Sequence, residues 1–220
     1  GIFVNSPNNP TGWMCRHAEQ RAILDFARER GIWILADEVY HRITYGRETA
    51  PSFLDLAEPE DPVLAINSFS KSWAMTGWRL GWLTAPPSIY DTLGLMVQYT
   101  NSNSPEFIQD AGIAAIEQCE DFVHRFRDYC AAGREIVDEV LGGANRIRYA
   151  QPEAAFYAFL EVEGEHDSMA LAERLVREAK VGVAPGMSFG EESDSWLRLC
   201  FAQDPETLRT GLERMADTLR

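Results

Sequence analysis

Three short apolar segments near the start of the chain constrain its fold more than any other feature of the sequence. They are "GIFVN" (1–5), "IWILADEVY" (32–40) and "VLAINSFS" (63–70). Such short segments, apolar throughout, are typical of strands in a parallel sheet that is covered on both faces. A helical pattern between the first two segments completes a strand–helix–strand unit. The sequence therefore predicts an α/β fold with a mostly parallel sheet and flanking helices.

The helix between the first two strands is predicted at residues 16–30, "RHAEQRAILDFARER". Apolar residues recur there at helical spacing, which places Ala22, Ile23, Phe26 and Ala27 on one side. Gly31 follows and is expected to end the helix.

The second half of the chain has a different pattern. A fourth strand is predicted in "RLGWLTA" (79–85), and helices are predicted at residues 105–118 and 120–143. Beyond residue 145, short strands alternate with two amphipathic helices, which is typical of an α+β domain. We therefore expect two domains, residues 1–120 and residues 121–220, the second being small and including the long helix.

Composition and charge argue against several kinds of partner. The 220 residues carry a formal net charge of −14 at pH 7, which disfavours nucleic acids and anionic membranes. No apolar run approaches the roughly 18 residues that a membrane span needs. The four cysteines and four histidines lack metal-ligand spacing, so we expect reduced thiols, a cytoplasmic protein and no metal site.

Polar residues follow each of the three apolar strands. They are Asn9 after the first strand, Asp37 and Tyr40 at the end of the second, and Ser68, Ser70 and Lys71 at the end of the third. In open parallel sheets, ligands bind outside the carboxyl ends of the strands. We therefore expect these residues to form a ligand site at one edge of the sheet.

Lys71 is the most informative of these residues. The chain has only two lysines against eighteen arginines, and Lys71 lies in the largely uncharged segment "SFSKSWAMTGWRLGW" (68–82). A guanidinium stays protonated, whereas a desolvated amine can lose its proton and attack a carbonyl carbon. In amino-acid metabolism the common carbonyl partner is the aldehyde of pyridoxal phosphate. The pattern alone also allows a lysine that simply reaches water from the end of a strand.

Several motifs together resemble one protein family. The segments "NSPNNPTG", "ADEVY" and "SFSKSWAMTGWRLGW", in this order, resemble class I/II aminotransferases of the fold-type I pyridoxal-phosphate family. The later segments "PEAAFYAFLEV", "VGVAPGMSFG" and "WLRLCFA" are similar to strands of that family's small domain. The resemblance implies the remainder of the large cofactor-binding domain, followed by a small carboxyl-terminal domain.

The resemblance also implies a role for each residue that would contact the ring of the cofactor. Lys71 would bind the aldehyde carbon and act as the catalytic base, and Asp37 would pair with the pyridine nitrogen. Asn9 and Tyr40 would hydrogen-bond the phenolic oxygen, and Asn9 would also contact the substrate.

Further residues would bind anions. Ser68 and Arg79 would hold the cofactor phosphate, and Ser70 would do the same or stabilise a turn. Arg198 stands alone among apolar residues in "WLRLCFA", so its guanidinium must reach water or meet an anion. In the family that this chain resembles, the arginine of this strand binds the substrate's α-carboxylate through two parallel hydrogen bonds.

The function that the resemblance implies is transamination between an amino acid and a 2-keto acid, by a homodimer when the protein is full length. Two alternatives use the same scaffold. One is a carbon–sulfur β-lyase or a cyclopropane-carboxylate synthase-like enzyme, and the other is an aminotransferase-like sensor domain of a transcription regulator, which binds the cofactor without turnover.

The start of the chain adds one expectation. "GIFVN" begins directly on a strand, without an initiator methionine, so we expect the carboxyl-terminal part of a longer protein. The family also uses an upstream phosphate cup, an aromatic residue stacked on the pyridine ring and a tyrosine from the partner subunit. A fragment without them is expected to bind the cofactor weakly and to be impaired in catalysis on its own.

Overall fold

A computed structural model describes residues 1–220, which divide into two compact units. The first unit comprises Gly1–Pro7 and Met14–Arg127, and the second comprises Asn8–Trp13 and Asp128–Arg220. No helix is both long and apolar enough to cross a lipid bilayer. The predicted domain boundary between residues 120 and 121 stays a prediction.

The first unit is built on a four-stranded sheet with the order β1-β2-β3-β4. The strands are β1 (Ile2–Asn5), β2 (Ile34–Asp37), β3 (Val63–Ser68) and β4 (Gly81–Thr84). The pairs β1–β2 and β2–β3 are parallel, and β4 pairs with β3 in the antiparallel direction. The predicted parallel-dominated α/β sheet is confirmed, and the reversal at β4 is a feature that the apolar pattern did not predict.

Helix α1 (His17–Arg30) lies between β1 and β2, and Gly31 ends it in a left-handed conformation with φ of 60°. Its buried residues are Gln20, Leu24 and Ala27. The predicted apolar face is therefore wrong in part, because Phe26 is 44% exposed. The polar residue Gln20 is buried on this helix instead, and its amide Nε2 donates to the carbonyl oxygen of Pro51 at 3.0 Å.

Four more helices follow in the chain. They are α2 (Phe69–Ser72), α3 (Tyr90–Thr100), α4 (Glu106–Gln118) and α5 (Glu120–Leu141). The structure confirms the helices predicted at 105–118 and 120–143. Helix α3 was not predicted, and none of its residues is buried.

The turn after β2 is held by a buried acid. The side chain of Glu38 is only 3% exposed and accepts hydrogen bonds from the hydroxyl of Ser52 at 2.7 Å and the amide of Phe53 at 3.0 Å. The carbonyl oxygen of Glu38 accepts from the amide of His41 at 3.0 Å, and the ring Nδ1 of His41 lies 3.1 Å from the same oxygen. Burial lowers the pKa of His41 to about 4.

The second unit is built on an antiparallel sheet with the order β5-β6-β8-β7. Its strands are β5 (Ile147–Arg148), β6 (Tyr157–Val162), β7 (Ala184–Pro185) and β8 (Trp196–Cys200). Helices α6 (Ser168–Glu178) and α7 (Pro205–Thr218) complete the unit. The predicted α+β pattern after residue 145 is confirmed.

The two faces of this second sheet differ in polarity. Ala158, Leu160, Leu197 and Leu199 are at most 5% exposed and form the core face. Side chains alternate along a strand, so Arg198 projects from the opposite face, where it pairs in register with Phe159 of β6 and Ala184 of β7. The core therefore supports a polar residue on the far side of a central strand.

The loop before β8 depends on a glycine. A Cβ atom at Gly186 would lie 2.0 Å from the carbonyl oxygen of Ser193 and 2.5 Å from that of Trp196. At Gly182, by contrast, a Cβ atom would meet nothing within 4 Å. Neither glycine has the positive φ that disfavours other residues, so only the available space distinguishes them.

We therefore predict that Gly186→Ala lowers the free energy of unfolding by about 1–3 kcal/mol, because the loop must shift to admit a methyl group. The matched control Gly182→Ala should change stability by less than about 1 kcal/mol, and in the stabilising direction. Urea denaturation of both variants measures the difference. Equal unfolding midpoints for the two variants would contradict the close packing at Gly186.

A second prediction concerns pH. Folding lowers the pKa of His41 from its ordinary value of 6.5 to about 4. In the pH window between these two values, the unfolded chain therefore binds a proton at His41 more readily than the folded chain does. Stability contributed by the neutral ring is therefore complete above the window and is lost as the pH falls through it. Between about pH 8 and about pH 5, wild type should lose about 2 kcal/mol more than a His41→Gln variant. Urea denaturation at each pH measures this loss. An equal loss of unfolding free energy in wild type and in His41→Gln would show that His41 does not contribute to the pH dependence of stability.

Candidate active site

The first candidate group contains Asp37, the last residue of β2. Its main-chain oxygen accepts from the amide of Ser6 at 3.0 Å, and its side-chain Oδ1 accepts from the amide of Val39 at 3.3 Å. Burial raises the pKa of Asp37, while the Val39 hydrogen bond and the charge of Lys71 lower that pKa. The carboxyl group is thus partly desolvated and lies within the electrostatic reach of an amine.

That amine belongs to Lys71, which lies in the short helix α2 rather than on the strand itself. Its Nζ is 5.6 Å from the centroid of the Tyr40 ring, and Tyr40 is only 3% exposed. An ammonium group over an aromatic ring at this distance is attracted by the electrons of the ring face. The structure therefore brings Lys71, Tyr40 and Asp37 together.

Ser68 connects β3 to α2. Its hydroxyl oxygen accepts from the amide of Ser70 at 3.0 Å, and the hydroxyl donates to the carbonyl oxygen of Leu80 at 3.2 Å. The serine therefore caps the first turn of α2, and an anion at this hydroxyl would have to compete with Leu80 for its proton. Ser70 is buried within the same turn. The predicted phosphate contacts of both serines stay predictions.

Arg79 is exposed and carries a positive φ of 54°, in the left-handed region. A residue with a Cβ atom is strained there by about 1 kcal/mol, and such strain is often kept at functional positions. Its Nη1 donates to the carbonyl oxygen of Thr76 at 3.0 Å, and no carboxylate pairs with the guanidinium. Most of its N–H groups therefore remain available to an anion.

The second candidate group lies in the second unit and contains Arg198 and Asn9. The Nη1 of Arg198 donates to Oδ1 of Asn9 at 3.0 Å. The guanidinium carbon lies 4.6 Å from the ring centroid of Tyr157 and 5.0 Å from that of Phe189. The Nε of Arg198 is buried without a hydrogen-bond partner, and no carboxylate pairs with this arginine. A half-buried cation without a counter-ion is well placed to bind an anionic ligand.

The segment that carries Asn9 is fixed by main-chain contacts within the same unit. The carbonyl oxygen of Gly12 accepts from the amides of Glu153 and Ala154, each at 3.1 Å. Gly12 has φ of 71°, and a Cβ atom there would lie 2.3 Å from Cβ of Pro152. Only glycine fits this close approach.

Glu38 follows Asp37 as a second polar residue at the end of the predicted strand, whereas Tyr157 and Phe189 were not singled out from the sequence. Glu38 holds the turn that follows Asp37, and Tyr157 and Phe189 contact the guanidinium of Arg198. The doubled acid in "ADEVY" and the single aromatic residue in "GMSFG" were the available signals. Neither pattern shows which buried partner its side chain meets.

One possible metal-ligand cluster lies elsewhere. The ligand atoms of Glu48, Glu120 and His124 are within 4.8 Å of one another, and all three residues are at least partly exposed. Arg42 also pairs with Glu120, and its positive charge disfavours a cation at this place. Glu120 also lies 3.1 Å from Nε2 of His124, so the contacts of this exposed acid are accounted for without a metal ion.

The donor set of the first group fits the expected cofactor. Pyridoxal phosphate presents a basic ring nitrogen, a phenolic oxygen, a phosphate and an aldehyde carbon. Asp37, Tyr40, Arg79 and Lys71 offer, in that order, a carboxylate, a phenol, a guanidinium and an amine of matching chemistry. The charge of Lys71 on Asp37 and the contact of Lys71 with Tyr40 show that three of these groups are neighbours.

Comparison with known proteins agrees with this chemistry. The family model described as aminotransferase class I and II matches residues 1–215. Aspartate aminotransferases from Thermotoga maritima and Pyrococcus horikoshii are each 34% identical to the chain, over 99% of its length and 55% and 56% of theirs. The crystal structure of an aromatic aminotransferase from Pyrococcus horikoshii OT3 matches with a TM-score of 0.92 at 31% identity, over 99% of this chain and 59% of that one.

The chain thus spans little more than half the length of the relatives it matches. The match extends over both units, which confirms the fold-type I architecture that the motifs predicted. The family that this match names is the one that the sequence motifs resembled. The chain belongs to the class I and II aminotransferases.

Proposed function

We propose that the full-length protein transfers an amino group between an amino acid and a 2-keto acid, with pyridoxal phosphate as cofactor. The observation that carries this proposal is the position of Lys71, whose amine lies over the buried ring of Tyr40 and whose charge acts on Asp37. A lysine that only reached water would need neither neighbour. The cofactor, when bound, supplies a ring that accepts the electrons released when the substrate's α-proton leaves.

Each residue of the first group has a task in that chemistry. The carboxylate of Asp37 would keep a proton on the ring nitrogen, and Tyr40 would donate a hydrogen bond to the phenolic oxygen. Lys71 would take the proton from the substrate's α-carbon and return a proton to the cofactor's aldehyde carbon, on the far side of the substrate's nitrogen. The exposed guanidinium of Arg79 binds the phosphate.

Arg198 provides the contact to the substrate in this proposal. An α-carboxylate is planar and matches the guanidinium edge through two parallel hydrogen bonds. Arg198 pairs with no carboxylate of the protein, and its Nε is buried without a partner, which supports this role. Asn9 accepts one hydrogen bond from it and so helps to orient the guanidinium.

We also propose that the full-length protein is a cytoplasmic homodimer whose large and small domains divide near residue 120. None of the four cysteines is joined in a disulfide, which supports a reducing compartment. The relatives named aspartate and aromatic aminotransferases differ in the substrate that their names give. The proposal therefore names amino acids as the substrate class and no particular amino acid.

The assignment of Lys71 can be tested by chemical labelling. Borohydride reduction of the cofactor-loaded full-length protein, followed by peptide mapping, should place a pyridoxyl group on Lys71. Lys180 is the matched control, because its exposed amine donates only to the carbonyl oxygen of Arg177 at 2.8 Å. A label on Lys180, or on neither lysine, would contradict the assignment of Lys71.

The assignment of Arg198 can be tested by an Arg198→Lys variant, which keeps the charge but loses the two-pronged geometry. We expect kcat/KM for amino acids to fall roughly 30- to 1000-fold, which corresponds to a loss of about 2–4 kcal/mol in transition-state binding. The visible absorption of the bound cofactor should be unchanged, and the exposed control Arg177→Lys should retain full activity. Product analysis should show a keto acid and a newly aminated acceptor, whereas release of ammonia and a thiol would indicate a β-lyase.

A further inference from the structure

The guanidinium of Arg198 is enclosed by groups from three separate segments. The ring of Tyr157 comes from β6, the ring of Phe189 from the loop before β8, and the amide of Asn9 from the segment after β1. Each of the three excludes other ligands from one part of the guanidinium. An incoming anion is therefore restricted to what remains of the guanidinium edge.

Phe189 is held rigidly over this arginine. It ends a single turn of 3-10 helix (Gly186–Phe189), whose first residue has no space for a side chain. The fully buried hydroxyl of Ser168 accepts from the amide of Met187 at 3.1 Å and donates to Oδ1 of Asp194 at 2.8 Å. One side chain thus fixes the loop on both sides of Phe189.

A second layer of aromatic rings supports Phe189 from the sheet. Phe159 meets Phe189 edge to face with ring centroids 5.8 Å apart. Phe159 also stacks on Trp196, with ring centroids 4.9 Å apart and planes 19° from parallel. Phe189 is therefore braced by its own loop and by the sheet, so it cannot readily move aside for a bulkier ligand.

We propose that Phe189 determines specificity by restricting Arg198 to planar anions. The inference rests on the proposed function and deepens it, because it names the anionic group that a substrate must carry. A carboxylate has two oxygens in one plane and can lie along the edge of the guanidinium without approaching either ring. A sulfonate or phosphonate is tetrahedral, so its third oxygen would project out of that plane, towards the space that the rings occupy.

The same contact has a second effect on affinity. A ring over the guanidinium removes water from it, and charge-assisted hydrogen bonds are stronger where water is excluded. Phe189 is therefore a positioning residue that acts through Arg198 on the substrate.

The test compares two anions of equal charge and similar size in the full-length protein. Butyrate is planar at its charged end and propane-1-sulfonate is tetrahedral, and calorimetric titration measures the binding of each without requiring turnover. Wild type should prefer butyrate by about tenfold or more. Phe189→Leu should bind butyrate about 5- to 20-fold more weakly and should lose most of the preference over the sulfonate. Phe189→Tyr, which keeps the aromatic ring, should retain the preference for butyrate over the sulfonate.

A matched control is available within the chain. Arg30 lies over the ring of Phe26 at 5.2 Å, in a contact of the same kind on the exposed side of α1. Phe26→Leu removes that contact and should leave the preference for butyrate unchanged. In steady-state assays, Phe189→Leu should raise KM for the amino acid and change kcat less than about twofold.

The outcomes separate this inference from the function on which it rests. Equal weakening of both anions in Phe189→Leu, or an unchanged preference, would overturn the role of Phe189 even if the protein transaminates. Loss of the preference in a protein that does not transaminate would support the role of Phe189 and contradict the proposed function. If Phe189→Leu fails to fold, loss of the preference in Phe189→Tyr overturns the inference, and its retention there supports the inference.

Discussion

The parallel pairing of β1, β2 and β3 is the constraint on which the first candidate group depends. Asp37 pairs in register with Asn5 on one side and with Ile66 on the other. The ladder continues past the strand ends, because Ser6 donates to Asp37 at 3.0 Å and Glu38 donates to Ile66 at 2.9 Å. The carboxyl group of Asp37 is therefore placed by main-chain hydrogen bonds from both neighbours, and the identity of its own side chain has little part in holding it there.

The two basic side-chain types of this protein are used for different tasks. Arginine carries almost all of the positive charge, and in Arg79 and Arg198 it offers a permanent cation to an anion. At Arg198 the buried, unpaired Nε costs about 1–3 kcal/mol in the free protein. Of the two lysines, Lys71 lies against the buried ring of Tyr40, whereas Lys180 is exposed.

The sequence predicted the strands well because their apolar runs reflect burial on both faces of a sheet. It failed where a polar or exposed contact decided the outcome. Gln20 is buried through a hydrogen bond to Pro51, while Phe26 is exposed beneath Arg30, and neither arrangement follows from hydrophobic periodicity. Helix α3 has apolar residues on every side and no buried face, so its amino-acid pattern lacks the stripe by which a helix is recognised.

The candidate residues could be chosen from the sequence because they lie in compact motifs, but their supports could not. Phe189 and Tyr157 are far apart in the chain and meet at Arg198 only through the antiparallel sheet and the loop before β8. Glu38 was adjacent to a predicted residue, yet its partners Ser52 and Phe53 lie fourteen and fifteen residues away. Contacts of this kind depend on tertiary structure, which a single sequence does not display.

The short segment from Asn8 to Trp13 has a consequence for recombination between related enzymes. It follows β1 in the chain but is held by Glu153 and Ala154, and it delivers Asn9 to Arg198. A chimaera made with one crossover after Arg127 would therefore combine the Asn9 segment of one parent with the Arg198 sheet of the other. Exchanging the whole carboxyl-terminal unit therefore requires transfer of two separate segments, the six residues Asn8–Trp13 and the residues Asp128–Arg220.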